Sequence, residues 1–217
     1  MRKTLKAEKL ELVHTDIWGK ASGPSLRGSM HFVTFIDDSS KKVWVYFLKH
    51  KSDVFNVFKK WLAQVENESG RKLKCLKSDN KGEYCDGRFE EFCASRGIWR
   101  VKTVSENPHQ NRVAECINKT ILERVQRMLI HAGVPKQFGT NAVNTTVYLI
   151  NKRPLVFLNC EIPEETWTNK EVNLNHLRTF DCISYVHIEL SHGSKLDPKS
   201  RMCIFIGYGT DEYGYRF

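Results

Sequence analysis

Residues 30–48 read Met-His-Phe-Val-Thr-Phe-Ile-Asp-Asp-Ser-Ser-Lys-Lys-Val-Trp-Val-Tyr-Phe-Leu. Both ends of this stretch are rich in β-branched and aromatic residues, which pack well on the half-buried surface of a sheet. The polar residues 38–41 between them have the composition of a turn. The stretch therefore predicts two antiparallel strands joined by a hairpin turn.

The spacing of apolar residues predicts further strands and helices on both sides of this hairpin. Further β-like runs occupy residues 10–18, 73–78 and 98–104. Helical spacing covers residues 52–68, 89–95, 113–132 and 135–150. Ser52 is a candidate cap for the first of these helices. This order of elements predicts an α/β domain, and it matches the ribonuclease-H-like fold among many others.

The pattern becomes less regular after residue 150. Residues 151–168 contain two prolines and are expected to form an irregular connection, after which β-like runs return at residues 182–188 and 202–208. We therefore expect a core domain over residues 8–153, a linker over residues 154–175 and a partial β module over residues 176–217.

The chain carries a large excess of positive charge. Its 217 residues have a formal net charge of +9, and residues 41–81 hold eleven Lys and Arg against four Asp and Glu. A basic stretch of this kind suits a polyanion such as nucleic acid, although charge alone favours a solvated helix face with extra lysines. No apolar run is long enough to predict a membrane span.

The cysteines and histidines indicate neither disulfides nor a metal. The seven cysteines are odd in number and include no Cys-x-x-Cys pair, and no histidine pair has zinc-finger spacing. We therefore expect reduced thiols in a cytosolic or nuclear protein rather than a secreted one, and no zinc in this chain.

Three acidic residues stand out by their positions. Asp16 lies late in a predicted strand, Asp79 ends another, and Glu115 lies on the polar face in the first turn of the long helix. Taken singly, they are explained as a strand end facing water, a turn residue and a solvated glutamate. Together, three carboxylates without histidine suit Mg²⁺ or Mn²⁺, and two such ions support phosphoryl transfer.

Four blocks of sequence resemble the integrases of copia-type LTR retrotransposons. They are His14-Thr15-Asp16-Ile17-Trp18-Gly19, the segment from Phe32 to Tyr46, Ser78-Asp79-Asn80-Lys81-Gly82-Glu83-Tyr84, and Asn107-Pro108-His109-Gln110-Asn111-Arg112-Val113-Ala114-Glu115. Between Asp79 and Glu115 lie 35 residues, the spacing for which this integrase superfamily is known. Near the end, residues 195–201 and 203–208 resemble the SH3-like module that follows the core in these Pol polyproteins.

The resemblance implies a five-stranded mixed sheet flanked by helices and a metal-dependent polynucleotidyl transferase. Such an enzyme trims the ends of element DNA with water and then uses the freed 3′ hydroxyl to attack a target phosphodiester. One Mg²⁺ or Mn²⁺ ion is expected between Asp16 and Asp79, and a second between Asp16 and Glu115. DNA is the expected partner, and by analogy with the family the enzyme works as a multimer.

Three residues near the acids are candidates for contacts with DNA. They are Asn111, Lys119 and Lys81. Lys119 has the charge to meet a phosphate, but it is equally well placed to pair with Glu115 one helical turn away. These contacts are hypotheses that depend on the resemblance.

The chain departs from the family pattern at four positions near these blocks. The family usually has Gly at Arg112, Arg at Cys116, Gly at Lys81 and Trp at Gly139. If position 112 requires a positive φ, Arg costs about 1 kcal/mol there, and the loss of a buried Trp leaves a cavity costing about 3–5 kcal/mol. Two alternatives follow: a catalytically decayed, truncated remnant that only binds nucleic acid, and a hydrolytic nuclease of the same fold class.

Overall fold

A five-stranded mixed sheet forms the centre of the computed structural model, which describes residues 8–21, 23–79, 82–84, 87–102, 111–158, 160–188, 198–209 and 214–217. The strands are β1 (Val13–Trp18), β2 (His31–Asp37), β3 (Val43–Leu48), β4 (Cys75–Ser78) and β5 (Trp99–Lys102). Their order in the sheet is β3-β2-β1-β4-β5. The pairs β1–β2 and β2–β3 are antiparallel, whereas β1–β4 and β4–β5 are parallel. The predicted hairpin and mixed sheet are confirmed.

The residues that the structure describes form five α-helices beside the strands. They are α1 (Val54–Ser69), α2 (Gly87–Ser95), α3 (Arg112–Ala132), α4 (Gly139–Asn151) and α5 (Pro163–Thr168). The prediction of a start at Ser52 was wrong, because a 3-10 turn over Lys51–Asp53 precedes α1. Helix α5 lies in the stretch expected to be irregular, where Pro163 occupies the first helical turn and needs no intrahelical N–H partner.

The helices pack on both faces of the sheet and form two apolar clusters. Alternation along β2 decides which side chain joins which cluster: Val33 and Phe35 face α1 and α2, whereas Phe32 and Ile36 face α3 and α4. All four side chains are essentially buried. Each burial contributes about 1.5–3 kcal/mol, so this pattern orients the whole sheet between its helices.

The C-terminal residues form two small antiparallel ribbons. They are β6 (Ile183–His187) with β7 (Ser200–Ile204), and β8 (Gly207–Tyr208) with β9 (Tyr215–Arg216). The β8 ribbon packs on α4, where the rings of Tyr148 and Tyr208 stack with centroids 4.2 Å apart. The predicted β module at this end is therefore present.

Two departures from the family pattern have clear structural outcomes. Arg112 is the first residue of α3 and is not among the described residues with a positive φ, so the strain considered for it does not arise. Gly139 is the first residue of α4 and lines a cavity of about 370 Å³, as expected for the loss of a large side chain. None of the described helices combines the length and apolarity needed to cross a membrane.

Candidate active site

Asp16 points from β1 toward the face of the sheet that α3 covers. Strand alternation sends Val13 and Ile17 to the cluster under α1, whereas Trp18 packs in the cluster under α3 and α4. Asp16 lies two residues before Trp18, so the two side chains point to the same face of the sheet. Asp16 lies opposite Thr34 of β2. Its side chain is half-buried.

Asp79 lies level with Asp16 on the neighbouring strand. The parallel register pairs Val13 with Leu76 and His14 with Lys77, and the same offset aligns Asp16 with Asp79, the residue directly after β4. Side chains at matching positions of parallel strands point to the same face. The two carboxyl groups therefore belong to the same face of the sheet, near the point where β4 ends.

Glu115 approaches these two residues from α3. It lies exposed in the first turn of that helix, as the helical periodicity predicts. Burial raises the pKa of Asp16, and the negative charges of Asp79 and Glu115 raise it further. The charges of Asp79 and Glu115 therefore both act on the Asp16 carboxylate, and a bound cation would relieve that repulsion.

Asn118 is a site residue that sequence reasoning missed. Its side chain is buried, its Nδ2 donates to Asp16 Oδ2 at 2.9 Å, and its Oδ1 accepts from Thr34 Oγ1 at 2.9 Å. The bond to Asp16 lowers the pKa of that carboxyl and so opposes the effect of burial. The available signal was a polar residue on the buried stripe of α3, between Ala114 and Ile121.

Tyr84 supports the site from the other face of the sheet. It is fully buried, and its hydroxyl shares a 2.7 Å hydrogen bond with Thr15 Oγ1, the neighbour of Asp16. Burial raises the pKa of the Tyr84 phenol well above its ordinary value, and the charges of Asp16 and Asp79 act in the same direction. The phenol is therefore neutral and acts as a support for β1.

The three residues predicted to contact DNA have different surroundings. Asn111 is buried, and its Nδ2 donates to the carbonyl of Thr15 at 3.4 Å, so its side chain ties α3 to β1 instead of lying at the surface. Lys119 is exposed, and no ion pair joins it to Glu115 among the contacts of the described residues. Lys81 lies outside the described residues. Contacts of all three with DNA stay predictions.

The donor set fits a divalent cation chemically, although the structure does not show a closed metal site. Within the described part of the chain, no three His, Cys, Asp or Glu side chains are grouped tightly enough to hold one ion. Carboxylate oxygens without nitrogen or sulfur donors suit hard cations such as Mg²⁺. The geometry therefore provides two aligned carboxylates and a third on the facing helix.

Two protein-family models match the chain, one over each of its two β regions. Residues 6–108 match the integrase core domain, and residues 182–217 match the retroviral polymerase SH3-like domain. The first match covers the five-stranded sheet with Asp16 and Asp79, and the second covers the ribbons from β6 to β9.

Relatives and solved structures agree with these matches. The chain is 53% identical over 211 residues to the retrovirus-related Pol polyprotein from transposon TNT 1-94 of Nicotiana tabacum, covering 97% of this chain but 16% of that polyprotein. It is 31% identical over 208 residues to the Pol polyprotein from transposon RE1 of Arabidopsis thaliana, covering 95% of this chain and 14% of the polyprotein.

Two viral integrase structures share the fold. One is the simian T-cell lymphotropic virus intasome in complex with PP2A regulatory subunit B56 gamma, with TM-score 0.60 and 14% identity over 90% of this chain and 67% of that one. The other is the HTLV-2 integrase catalytic core domain in complex with magnesium, with TM-score 0.53 and 16% identity over 73% of this chain and 97% of that one. The sheet and helices are thus those of an integrase core of the ribonuclease-H-like class. The chain therefore carries an integrase core domain, of a domain family that acts in DNA integration, followed by a retroviral SH3-like domain, and it is similar over nearly its whole length to Pol polyproteins of plant copia-type retrotransposons, of which it spans less than a fifth.

Proposed function

We propose that this chain is a metal-dependent polynucleotidyl transferase that joins element DNA ends to target DNA. Asp16, Asp79 and Glu115 are its metal-holding residues. The observation that carries the proposal is the parallel register, which aligns Asp16 with Asp79 while α3 presents Glu115 to the same place. Burial is the main cause of the raised pKa of Asp16, and the charges of Asp79 and Glu115 act on Asp16 in the same direction, which supports a site shared by the three acids.

The residues of the chain have separate tasks in this proposal. Asp16, Asp79 and Glu115 supply the oxygen ligands, and Asn118 keeps the Asp16 carboxylate turned toward α3 through its 2.9 Å hydrogen bond. When bound, two Mg²⁺ or Mn²⁺ ions activate the attacking oxygen and stabilise the leaving one. In the joining step the 3′ oxygen of the element end forms a bond to a target phosphorus, and the 3′ oxygen of the target strand leaves.

The charge of the chain supports DNA as the partner. The net charge of +9 provides attraction to the phosphate backbone, and Lys119 lies exposed one helical turn from Glu115. In this proposal Asn111, Lys119 and Lys81 contribute to the DNA interface, with Asn111 acting through the position of α3. The enzyme acts as a homo-oligomer on DNA in the nucleus.

A strand-transfer assay tests the proposal with short DNA ends, a target duplex and Mn²⁺. We expect joined products from the native chain, and none from Asp79→Asn or Glu115→Gln. Glu123→Gln is a matched control, because Glu123 is exposed on the same helix as Glu115 and lines no part of the site. DNA binding by all variants is expected to stay within about threefold of the native chain and to weaken with salt.

The same assay separates the other two interpretations of the sequence. DNA binding without any chemistry identifies a non-catalytic remnant, and strand cutting without joining identifies a nuclease. Unchanged turnover in Asp79→Asn refutes the assignment of the site.

A further inference from the structure

A cavity lies beside the candidate active site and is lined by none of its three acids. It opens between the end of β1, the start of β2 and the helices α3 and α4, and its volume is about 370 Å³. Its walls are mainly apolar and include Trp18, Phe32, Phe47, Leu122, Val125 and Leu129. The proposed DNA chemistry uses none of these side chains.

One wall of this cavity has no side chain to fill it. Gly139 begins α4 with a φ of −53°, and a Cβ at this position would meet nothing within 4 Å. Val143, one turn further along α4, is the next side chain of that helix on the cavity wall. The empty space therefore lies where α4 begins, next to the aromatic end of β1.

The shape and lining of the cavity select a planar aromatic occupant. The rings of Trp18 and Phe32 stack with centroids 5.2 Å apart and planes inclined by 24°, and a third ring can extend such a stack. An apolar cavity of roughly 150 Å³ is already enough to hold benzene. The larger volume here accommodates a two-ring system.

The charged side chains on the rim of the cavity are positive. Lys20 and Lys136 are exposed on the rim, and no Asp or Glu is among the described residues that line the cavity. A ligand whose ring enters the cavity therefore gains from an anionic group at its outer end.

We propose that this cavity, which we call the Gly139 cavity, binds a two-ring aromatic molecule that carries a carboxylate or similar anion. The ring packs against Trp18 and Phe32 beneath the start of α4, and the anion lies near Lys20 and Lys136. This site goes beyond the integrase chemistry, and binding there requires neither DNA nor metal.

Isothermal titration of the full chain, without DNA or metal, tests the site with two indole probes of opposite charge. We expect saturable binding of indole-3-acetate, and at least threefold weaker binding of tryptamine, which has the same ring and a cationic end. Gly139→Trp is expected to abolish binding by filling the cavity. Gly87→Trp is the matched control, because Gly87 also begins a helix with open space around it but lies outside the cavity.

A charge-reversed variant keeps the test decisive if Gly139→Trp fails to fold. Lys20→Glu combined with Lys136→Glu changes only exposed side chains and is expected to reverse the preference, so that tryptamine binds more tightly than indole-3-acetate. The proposal is overturned if neither probe binds the native chain, if folded Gly139→Trp binds as well as Gly87→Trp does, or if the double variant keeps the native preference.

Discussion

Asp16 combines a proposed role in metal binding with an environment that is unfavourable for its negative charge. A carboxylate that is half-buried beside two like charges is unfavourable in the metal-free protein, which is why its pKa is raised. Asn118 donates a hydrogen bond to this carboxylate and is itself held by Thr34. The series Thr34–Asn118–Asp16 therefore links β2, α3 and β1 at the point where the ion is proposed to bind.

Replacing Asn118 with Ala should expose the importance of these linked hydrogen bonds. The change removes the hydrogen bonds that Asn118 makes to Asp16 and to the buried Thr34 hydroxyl, so we expect the free energy of unfolding to fall by about 1–3 kcal/mol. Urea unfolding measures this loss, and titration with Mn²⁺ should show weaker binding. Glu123→Ala, on the exposed face of α3, serves as control. A loss no larger in Asn118→Ala than in this control contradicts the role given to Asn118.

Asp38 is a second residue whose ionisation affects stability, away from the proposed metal site. Burial acts to raise its pKa, but hydrogen bonds with His14 and Lys41 outweigh burial and hold the pKa well below the ordinary value of 3.8. Because the pKa is lower in the folded state, the stabilisation is present above pH 3.8 and is lost as the pH falls further.

Asp38→Asn should therefore destabilise the protein in a pH-dependent way. We expect a loss of about 1–3 kcal/mol at pH 7, because the carboxylate that accepts from Lys41 and His14 is replaced by a neutral amide, and a smaller difference from the native chain below pH 3.8. Urea unfolding at several pH values measures it, with the exposed Glu171→Gln as control. A difference that is constant with pH counts against this explanation.

At the scale of elements, the helix ends depend on the backbone conformation of individual glycines. Gly133 ends α3 with a φ of +61°, which suits glycine, whereas Gly139 begins α4 with an ordinary helical φ of −53°. At both positions a Cβ would meet no atom within 4 Å. Because neither position is crowded, a substitution at each one tests the effect of backbone conformation alone.

The same substitution should have opposite effects at these two helix ends. Gly139→Ala is expected to stabilise the protein by about 0.4–1 kcal/mol, because it reduces the entropy of the unfolded chain. Gly133→Ala is expected to destabilise it by about 1 kcal/mol, because alanine is strained at positive φ. Thermal unfolding of the two variants measures the sign, and a destabilised Gly139→Ala would show that the start of α4 requires glycine.

At the scale of the whole molecule, the C-terminal ribbons are attached to the core through α4. Gly207 lies against this helix with a φ of +143°, and a Cβ there would approach Thr145 Oγ1 to 2.6 Å. The neighbouring Tyr208 stacks on Tyr148, and its hydroxyl donates to the carbonyl of Arg178 at 3.1 Å. This packing joins the SH3-like region to the apolar cluster of the core that includes α3 and α4.

Gly207→Ala should loosen this attachment. Backbone strain and the clash with Thr145 together are expected to cost about 1–3 kcal/mol, and limited proteolysis should cut the C-terminal region faster than in the native chain. Gly214→Ala is the control, since its Cβ would meet nothing within 4 Å and its φ is not positive. Equal cleavage rates in the two variants would show that close packing at Gly207 does not hold the ribbons.

Local spacing along the chain was sufficient to predict the hairpin, the α/β order of elements and the long helix of Glu115, because strand and helix periods are properties of neighbouring residues, whereas the mixed sheet was implied by the resemblance to integrases. The three acids are predicted from their positions and from the motifs that resemble an integrase. Only the folded arrangement joined Asn118 to Asp16, joined Asn111 at the start of α3 to Thr15 of β1, and showed which residues line the cavity at Gly139. Those relations join segments far apart in sequence, and they follow from strand register and helix packing, which no local pattern encodes.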